Sequence, residues 1–122
     1  MPIEINPRYT AAMELVERRD GLSVFGAHVT GCTRGIDSLP RLTVCSGAIG
    51  KAVVFARRAL VTTAATQRWL DDPHTRDVPS PGTRIAAGSP ICTVLAAAPT
   101  TAECYAGLVE RANRVYDSTL DR

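Results

Sequence analysis

The segment Ile91–Leu120, ICTVLAAAPTTAECYAGLVERANRVYDSTL, decides the fold, because a strand-like run is followed closely by an amphipathic helix. The strand prediction covers Ile91–Ala96, which is apolar apart from Thr93. We expect the helix to be capped by Thr100 or Thr101, with Glu103 in its first turn. Its apolar side chains recur at helical spacing: Tyr105, Leu108, Val109, Ala112, Val115 and Tyr116. The segment therefore predicts a long C-terminal helix packed on a sheet.

The residues before this strand predict an antiparallel β section. Strand-like composition is found in Lys51–Arg57, Ala59–Thr63 and Thr83–Ile85. The run Ala87-Gly88-Ser89-Pro90 predicts a turn before the last strand. Between Asp71 and Gly82 three prolines predict a loop. We expect these strands to form a barrel-like unit beneath the C-terminal helix.

The first part of the chain predicts one short strand and two small helices. Apolar and polar residues alternate over Pro2–Asn6, which is typical of a strand. Thr10 can cap a helix over Ala11–Arg19 that Gly21 ends, and Ser23 can cap a second helix through Cys32. Residues 33–49 are expected to form a loop, with a possible strand at Arg41–Cys45. The fold class is therefore α+β, with parts 1–49 and 50–122 packed as a single domain.

Length and charge exclude several classes of function. The chain has 122 residues, room for one domain, and 14 basic against 12 acidic residues give a net charge of +2. This mild balance, with its scattered arginines, does not predict nucleic-acid binding. The longest apolar run, Ile91–Pro99, is far too short for a membrane span, and the first residues do not resemble a signal peptide. We expect a cytoplasmic protein that does not bind membranes.

The most informative motif is Glu4-Ile5-Asn6-Pro7-Arg8. On a strand, Glu4 and Asn6 point to the same face, about 7 Å apart. Carboxylate and amide oxygens are ligands that Mg²⁺ accepts, and it commonly takes one or two from protein and the rest from water and phosphate. Arg8 follows a proline and can place its planar guanidinium against phosphate oxygens. The motif therefore fits a metal-bound polyphosphate, although the same spacing also occurs by chance at solvated strand ends.

The segment IEINPRYTAAMELVER, residues 3–18, resembles the last catalytic strand and following helix of ATP-grasp proteins, in particular the carbamoyl-phosphate-synthase-like branch. The resemblance implies that Glu4 and Asn6 hold Mg²⁺ bridging the phosphates of ATP. It implies that Arg8 contacts phosphate or the acyl-phosphate intermediate, as both a catalytic and a nucleotide-binding residue. The activity it implies is ATP-dependent activation of a carboxylate.

The C-terminal half is similar to the rudiment-hybrid unit that closes many ATP-grasp ligases. The similarity is carried by GKAVVFA (50–56), DVPSPGTRI (77–85), GSPICTVLA (88–96) and the helix that follows. The adenine pocket, glycine-rich loop and phosphate-contacting lysine of those enzymes precede the motif at Glu4. We therefore expect a C-terminal portion that needs an N-terminal ATP-grasp portion or a split-gene partner, binds neither Mg²⁺ nor ATP alone, and self-associates.

Other interpretations remain open. The chain is alternatively a stand-alone, non-catalytic binding or oligomerisation module. A carrier domain would need an exposed modified lysine, but the only lysine, Lys51, opens an apolar strand. His28 is expected to be a buried histidine of the second helix, and His74 to lie in a solvated loop that could alternatively hold a cation. Trp69 is expected in the core rather than in a partner-docking loop.

Overall fold

The computed structural model describes residues 8–39, 41 and 46–120, the last of these by its backbone alone. The chain divides into two compact units, Met1–Ser46 and Gly47–Arg122. The fold class is α+β, as predicted. The predicted strand at Pro2–Asn6 and residues 42–45 of the possible strand at Arg41–Cys45 lie outside the described residues.

The described part of the first unit is helical. Helix α1 (Ala11–Asp20) has Thr10 at its N-cap, and it ends at Gly21, whose φ of 63° is left-handed. Helix α2 (Val24–Arg34) begins where the Ser23 hydroxyl accepts a hydrogen bond from the Gly26 N–H at 3.0 Å. A 3₁₀ turn (Ile36–Ser38) follows. Both helices were predicted, and each extends slightly beyond its predicted end.

Glycine has a low helical propensity, but Gly26 in the first turn of α2 makes room for the N-cap side chain. A Cβ at this position would lie 3.2 Å from the Ser23 hydroxyl oxygen, so glycine leaves room for the capping side chain. The cap satisfies a backbone donor that the first turn of a helix otherwise leaves unpaired.

The second unit is built around strand β5. An antiparallel sheet has the order β1-β5-β3, formed by β1 (Ala48–Phe55), β5 (Pro90–Ala98) and β3 (Thr75–Arg76). In its register Ala52 faces Val94 on one side of β5, and Thr75 faces the same residue on the other. A separate two-stranded sheet pairs β2 (Leu60–Val61) with β4 (Arg84–Ile85).

Two sequence-based expectations for this unit need correction. The β section does not close into a barrel among the described residues, because its strands form two separate sheets. The predicted loop at Asp71–Gly82 contains β3, a strand of two residues that forms only by pairing with β5. A 3₁₀ helix (Ala64–Leu70), which no pattern indicated, carries Trp69 into the core as predicted.

Helix α3 (Thr101–Leu120) packs on β1 and β5, as the sequence predicted. Its start is fixed by a reciprocal pair of bonds: the Glu103 N–H donates to the Thr100 hydroxyl at 3.2 Å, and the Thr100 N–H donates to the Glu103 carboxylate at 3.1 Å. Small residues bring the helix close to the sheet. A Cβ at Gly107 would lie 3.3 Å from that of Ala96, and one at Gly50 would lie 3.1 Å from a Leu108 methyl group.

The core beneath α3 is formed by apolar side chains from both sheets, the 3₁₀ helix and α3. Six consecutive residues of β5, 91 to 96, are buried, which indicates that both faces of the strand are covered. The buried cluster is Val54, Ala56, Trp69, Ile85, Ile91, Cys92, Val94 and Val115. None of the described helices combines the length and apolarity needed to cross a bilayer.

Adjacent valines of β1 provide a matched test of this core. Val54 is 2% exposed and Val53 is 47% exposed. We expect Val54→Ala to lower the free energy of unfolding by about 2 kcal/mol, because a buried valine loses both transfer energy and contacts. Val53→Ala should cost under about 0.5 kcal/mol. Urea unfolding followed by circular dichroism measures both, and equal losses would contradict the described core.

Candidate functional site

Of the three motif residues, only Arg8 falls among the described residues. Glu4 and Asn6 lie outside them, so their predicted sharing of one strand face stays a prediction. Arg8 occupies a bend two residues before the N-cap of α1, and its side chain is exposed. Its guanidinium forms no hydrogen bond or ion pair in the described part of the chain. Arg8 is therefore free to contact an anion.

The segment that follows Arg8 is held by Glu17, a residue that sequence reasoning missed. The Tyr9 hydroxyl donates to one carboxylate oxygen of Glu17 at 2.7 Å. The Val24 N–H at the start of α2 donates to the other oxygen, also at 2.7 Å. One side chain of α1 thus joins the entry to α1 with the entry to α2. Neither partner lies at the spacing of three or four that identifies helical pairs in a sequence.

This pair changes the pKa of both groups. The hydrogen bond from Tyr9, followed by that from the Val24 backbone, holds the pKa of Glu17 below its usual value. The same bond to Glu17 raises the pKa of the Tyr9 hydroxyl. Both effects favour the pair with Glu17 ionised and Tyr9 protonated, the state expected at neutral pH.

His28 was predicted to be buried, and the structure corrects this: the side chain is exposed. Its Nε2 lies 3.8 Å from Sγ of Cys32 one turn later, and both groups are exposed. The prediction failed because it assumed that the apolar face of α2 is covered, whereas α2 contains no buried residue.

The other described cysteines, Cys92 and Cys104, are buried in the second unit. Burial, with a smaller effect from Asp77, raises the pKa of Cys92 to about 11, so its thiol is protonated at neutral pH. Cys104 donates a hydrogen bond from its thiol to the Ala96 carbonyl at 3.3 Å. Cys45 lies outside the described residues.

The acidic loop around His74 is organised by Asp72. One Asp72 oxygen accepts the His74 N–H at 2.9 Å, while the other accepts the Thr75 hydroxyl at 3.1 Å and an Arg111 N–H of α3 at 3.3 Å. Asp77 accepts a bond from the Thr93 hydroxyl at 2.7 Å. These carboxylates stabilise the loop, and no cluster of three metal-ligating side chains is found among the described residues.

Partial burial of Asp72 works against its ionisation, but its hydrogen bonds and the charge of Arg111 outweigh burial and lower its pKa. This group therefore contributes stability above the pKa of the unfolded chain and loses it as the pH falls through the folded value. Because both pKa values lie at or below the ordinary 3.8, the loss is confined to acidic solution.

Substituting neighbouring aspartates tests this role. We expect Asp72→Asn to lower the free energy of unfolding at pH 7 by about 1 kcal/mol, because it weakens the hydrogen bonds to His74, Thr75 and Arg111. The loss stays small because the carboxylate is partly exposed to water. Asp71→Asn, at an exposed position, should have almost no effect. The difference between wild type and Asp72→Asn should shrink below pH 4 in acid-dependent unfolding. A pH-independent difference would contradict the assignment.

The hydrogen bond between Tyr9 and Glu17 can be tested through the pKa of Glu17. By carbon-detected NMR titration, the Glu17 carboxyl should show a pKa below its ordinary 4.5. Tyr9→Phe should raise that pKa toward the ordinary value, because the largest cause of the shift is removed. Tyr105→Phe, which removes a hydroxyl from an exposed position of α3, is the matched control and should leave Glu17 unchanged. If the Glu17 carboxyl has the same pKa in Tyr9→Phe as in Tyr105→Phe, the hydrogen bond between Tyr9 and Glu17 is excluded.

Comparison with known proteins adds no relative. The chain matches no protein-family model, and no curated protein or solved structure is significantly similar to it.

Proposed function

We propose that this chain is the C-terminal portion of an ATP-grasp ligase-like protein and contributes Glu4, Asn6 and Arg8 to a site for Mg²⁺ and ATP. The motif of these residues and the helix after it support the proposal. Thr10 is the N-cap residue of α1 two residues beyond Arg8, so a helix follows the motif, as in ATP-grasp proteins. The exposed, unpaired guanidinium of Arg8 suits the phosphate contact assigned to it.

The observation that carries the proposal is that none of the described residues before Gly47 is buried. Phe25 is 67% exposed and Ile36 is 78% exposed. Apolar side chains at these exposures indicate a surface that is covered in the working protein. An ATP-binding portion that contacts this surface would also supply the nucleotide pocket that the motif lacks.

The donor set fits this chemistry. Bound Mg²⁺ would neutralise charge on the phosphates of ATP. Glu4 and Asn6 would supply its protein oxygen ligands, and Arg8 would stabilise charge on the phosphoryl group as a carboxylate is activated. A nucleophile such as an amine would then displace phosphate. Because two oxygen ligands make an open site, the chain alone should bind Mg-ATP weakly and turn over none.

Isothermal titration with Mg-ATP tests the proposal. The chain alone should bind more weakly than about 1 mM, and the chain mixed with a glycine-rich ATP-binding portion from an adjacent reading frame should bind in the micromolar range. Arg8→Ala should weaken that binding about tenfold, since a charge-assisted phosphate contact is lost. Arg34→Ala, at an exposed position at the end of α2, is the control and should have no effect.

Two results would contradict the proposal. Micromolar binding of Mg-ATP by the chain alone would show that no further portion is needed. If the mixture does not bind, or binds equally with Arg8→Ala, the motif does not serve a nucleotide. The exposed apolar surface would then favour a stand-alone binding or oligomerisation module.

A further inference from the structure

The second unit contains a groove of about 580 Å³ that is independent of the ATP-grasp proposal. We call it the arginine groove. It lies beside β2, the 3₁₀ helix and the end of α3, and its lining includes Arg58, Leu60, Val61, Thr63 and Arg68. Its size is typical of sites that take small organic molecules.

The charge of the arginine groove has one sign. Arg58 and Arg68 both line it, and none of the described lining residues is acidic. Both side chains are exposed, and neither forms a hydrogen bond or ion pair in the described part of the chain. The adjacent Arg57 differs, because its guanidinium lies 3.8 Å from the centre of the Tyr116 ring. Two uncompensated guanidinium groups attract an anion.

One hydroxyl group of the groove can still donate a hydrogen bond to a bound anion. The Thr66 hydroxyl donates to the Thr63 carbonyl at 2.7 Å, and the Thr62 hydroxyl donates to the Ser80 carbonyl at 2.6 Å. The Thr63 hydroxyl instead accepts a bond from the Ala65 N–H at 3.3 Å and keeps its own proton. Thr63 therefore remains available as a donor beside the two arginines.

A neighbouring groove on the same unit shows the contrast. It shares Arg68 and is lined in addition by Arg111, Arg114, Asp72 and Asp117. There Arg111 is paired with Asp72, and Arg114 is paired with Glu110. Positive and negative groups are mixed in that groove, which gives it no preference for an anion.

We propose that the arginine groove binds a small organic anion, with its phosphate or carboxylate group between Arg58 and Arg68. Planar guanidinium groups bind both kinds of oxyanion through paired N–H donors, and Thr63 adds a further donor. The apolar body of the ligand lies against Leu60 and Val61. Val61 is 55% exposed in the free protein, so contact with a ligand would remove apolar surface from water.

Amide NMR titration of the full chain with phenyl phosphate, benzoate and inorganic phosphate tests the site. Saturable shifts are expected at residues 58–68 and 118–119, with a Kd of about 1 mM or tighter for phenyl phosphate or benzoate. The tighter of these two identifies the preferred head group, and either order supports the proposal. Inorganic phosphate should bind more weakly than phenyl phosphate, because it lacks an apolar body.

Matched variants identify the residues. Arg58→Gln and Arg68→Gln should each weaken binding about tenfold, whereas Arg34→Gln, at an exposed position of α2 that does not line the groove, should not. Circular dichroism checks that each variant is folded, and the wild-type affinity should also fall with added salt. The absence of saturable shifts at about 20 mM probe, or equal binding by all three variants, would overturn the proposal.

Discussion

The close contact between α3 and the β1–β5 pair is the interaction on which the second unit depends. Gly50 and Gly107 lie where a Cβ would come within 3.3 Å of a neighbouring side chain, so the helix approaches the sheet at the distance that glycine allows. This approach lets Val115 join the same buried cluster as Val54 and Val94. Without it, β5 would have one apolar face in water, and the two-residue strand β3 would have no buried partner to pair with.

The first unit is stabilised differently. Its described helices contain no buried residue, and the Ser23 hydroxyl accepts a bond from the Gly26 N–H at the start of α2. The carboxylate of Glu17 accepts one bond from the Tyr9 hydroxyl before α1 and another from the Val24 N–H at the start of α2. Covering its exposed apolar residues with another surface would add the stabilisation that the second unit obtains from its own core.

Local patterns predicted α3 and its cap because amphipathic spacing and the Thr100–Glu103 pair are properties of adjacent residues. They could not predict β3, whose only reason to be a strand is a partner almost twenty residues later. His28 was assigned the wrong environment because helical periodicity identifies an apolar face without saying whether anything covers it. In the candidate site, the motif predicted a role for Arg8, which stays a prediction, and Glu17 makes contacts at separations of seven and eight residues, for which the sequence has no pattern.

The arginines of the second unit differ in whether they contact a carboxylate or an aromatic ring. The chain has thirteen arginines and one lysine, so nearly every basic group is a planar fork suited to carboxylates, phosphates and aromatic rings. In the second unit, Arg111 and Arg114 are neutralised by carboxylates and Arg57 lies over a tyrosine ring. Arg58 and Arg68 have no such partner in the described residues, although Asp71 and Asp72 follow Arg68 closely along the chain. Asp72 is already committed to His74, Thr75 and Arg111, so the bonds that fix the acidic loop also leave Arg68 without a counter-ion from that residue.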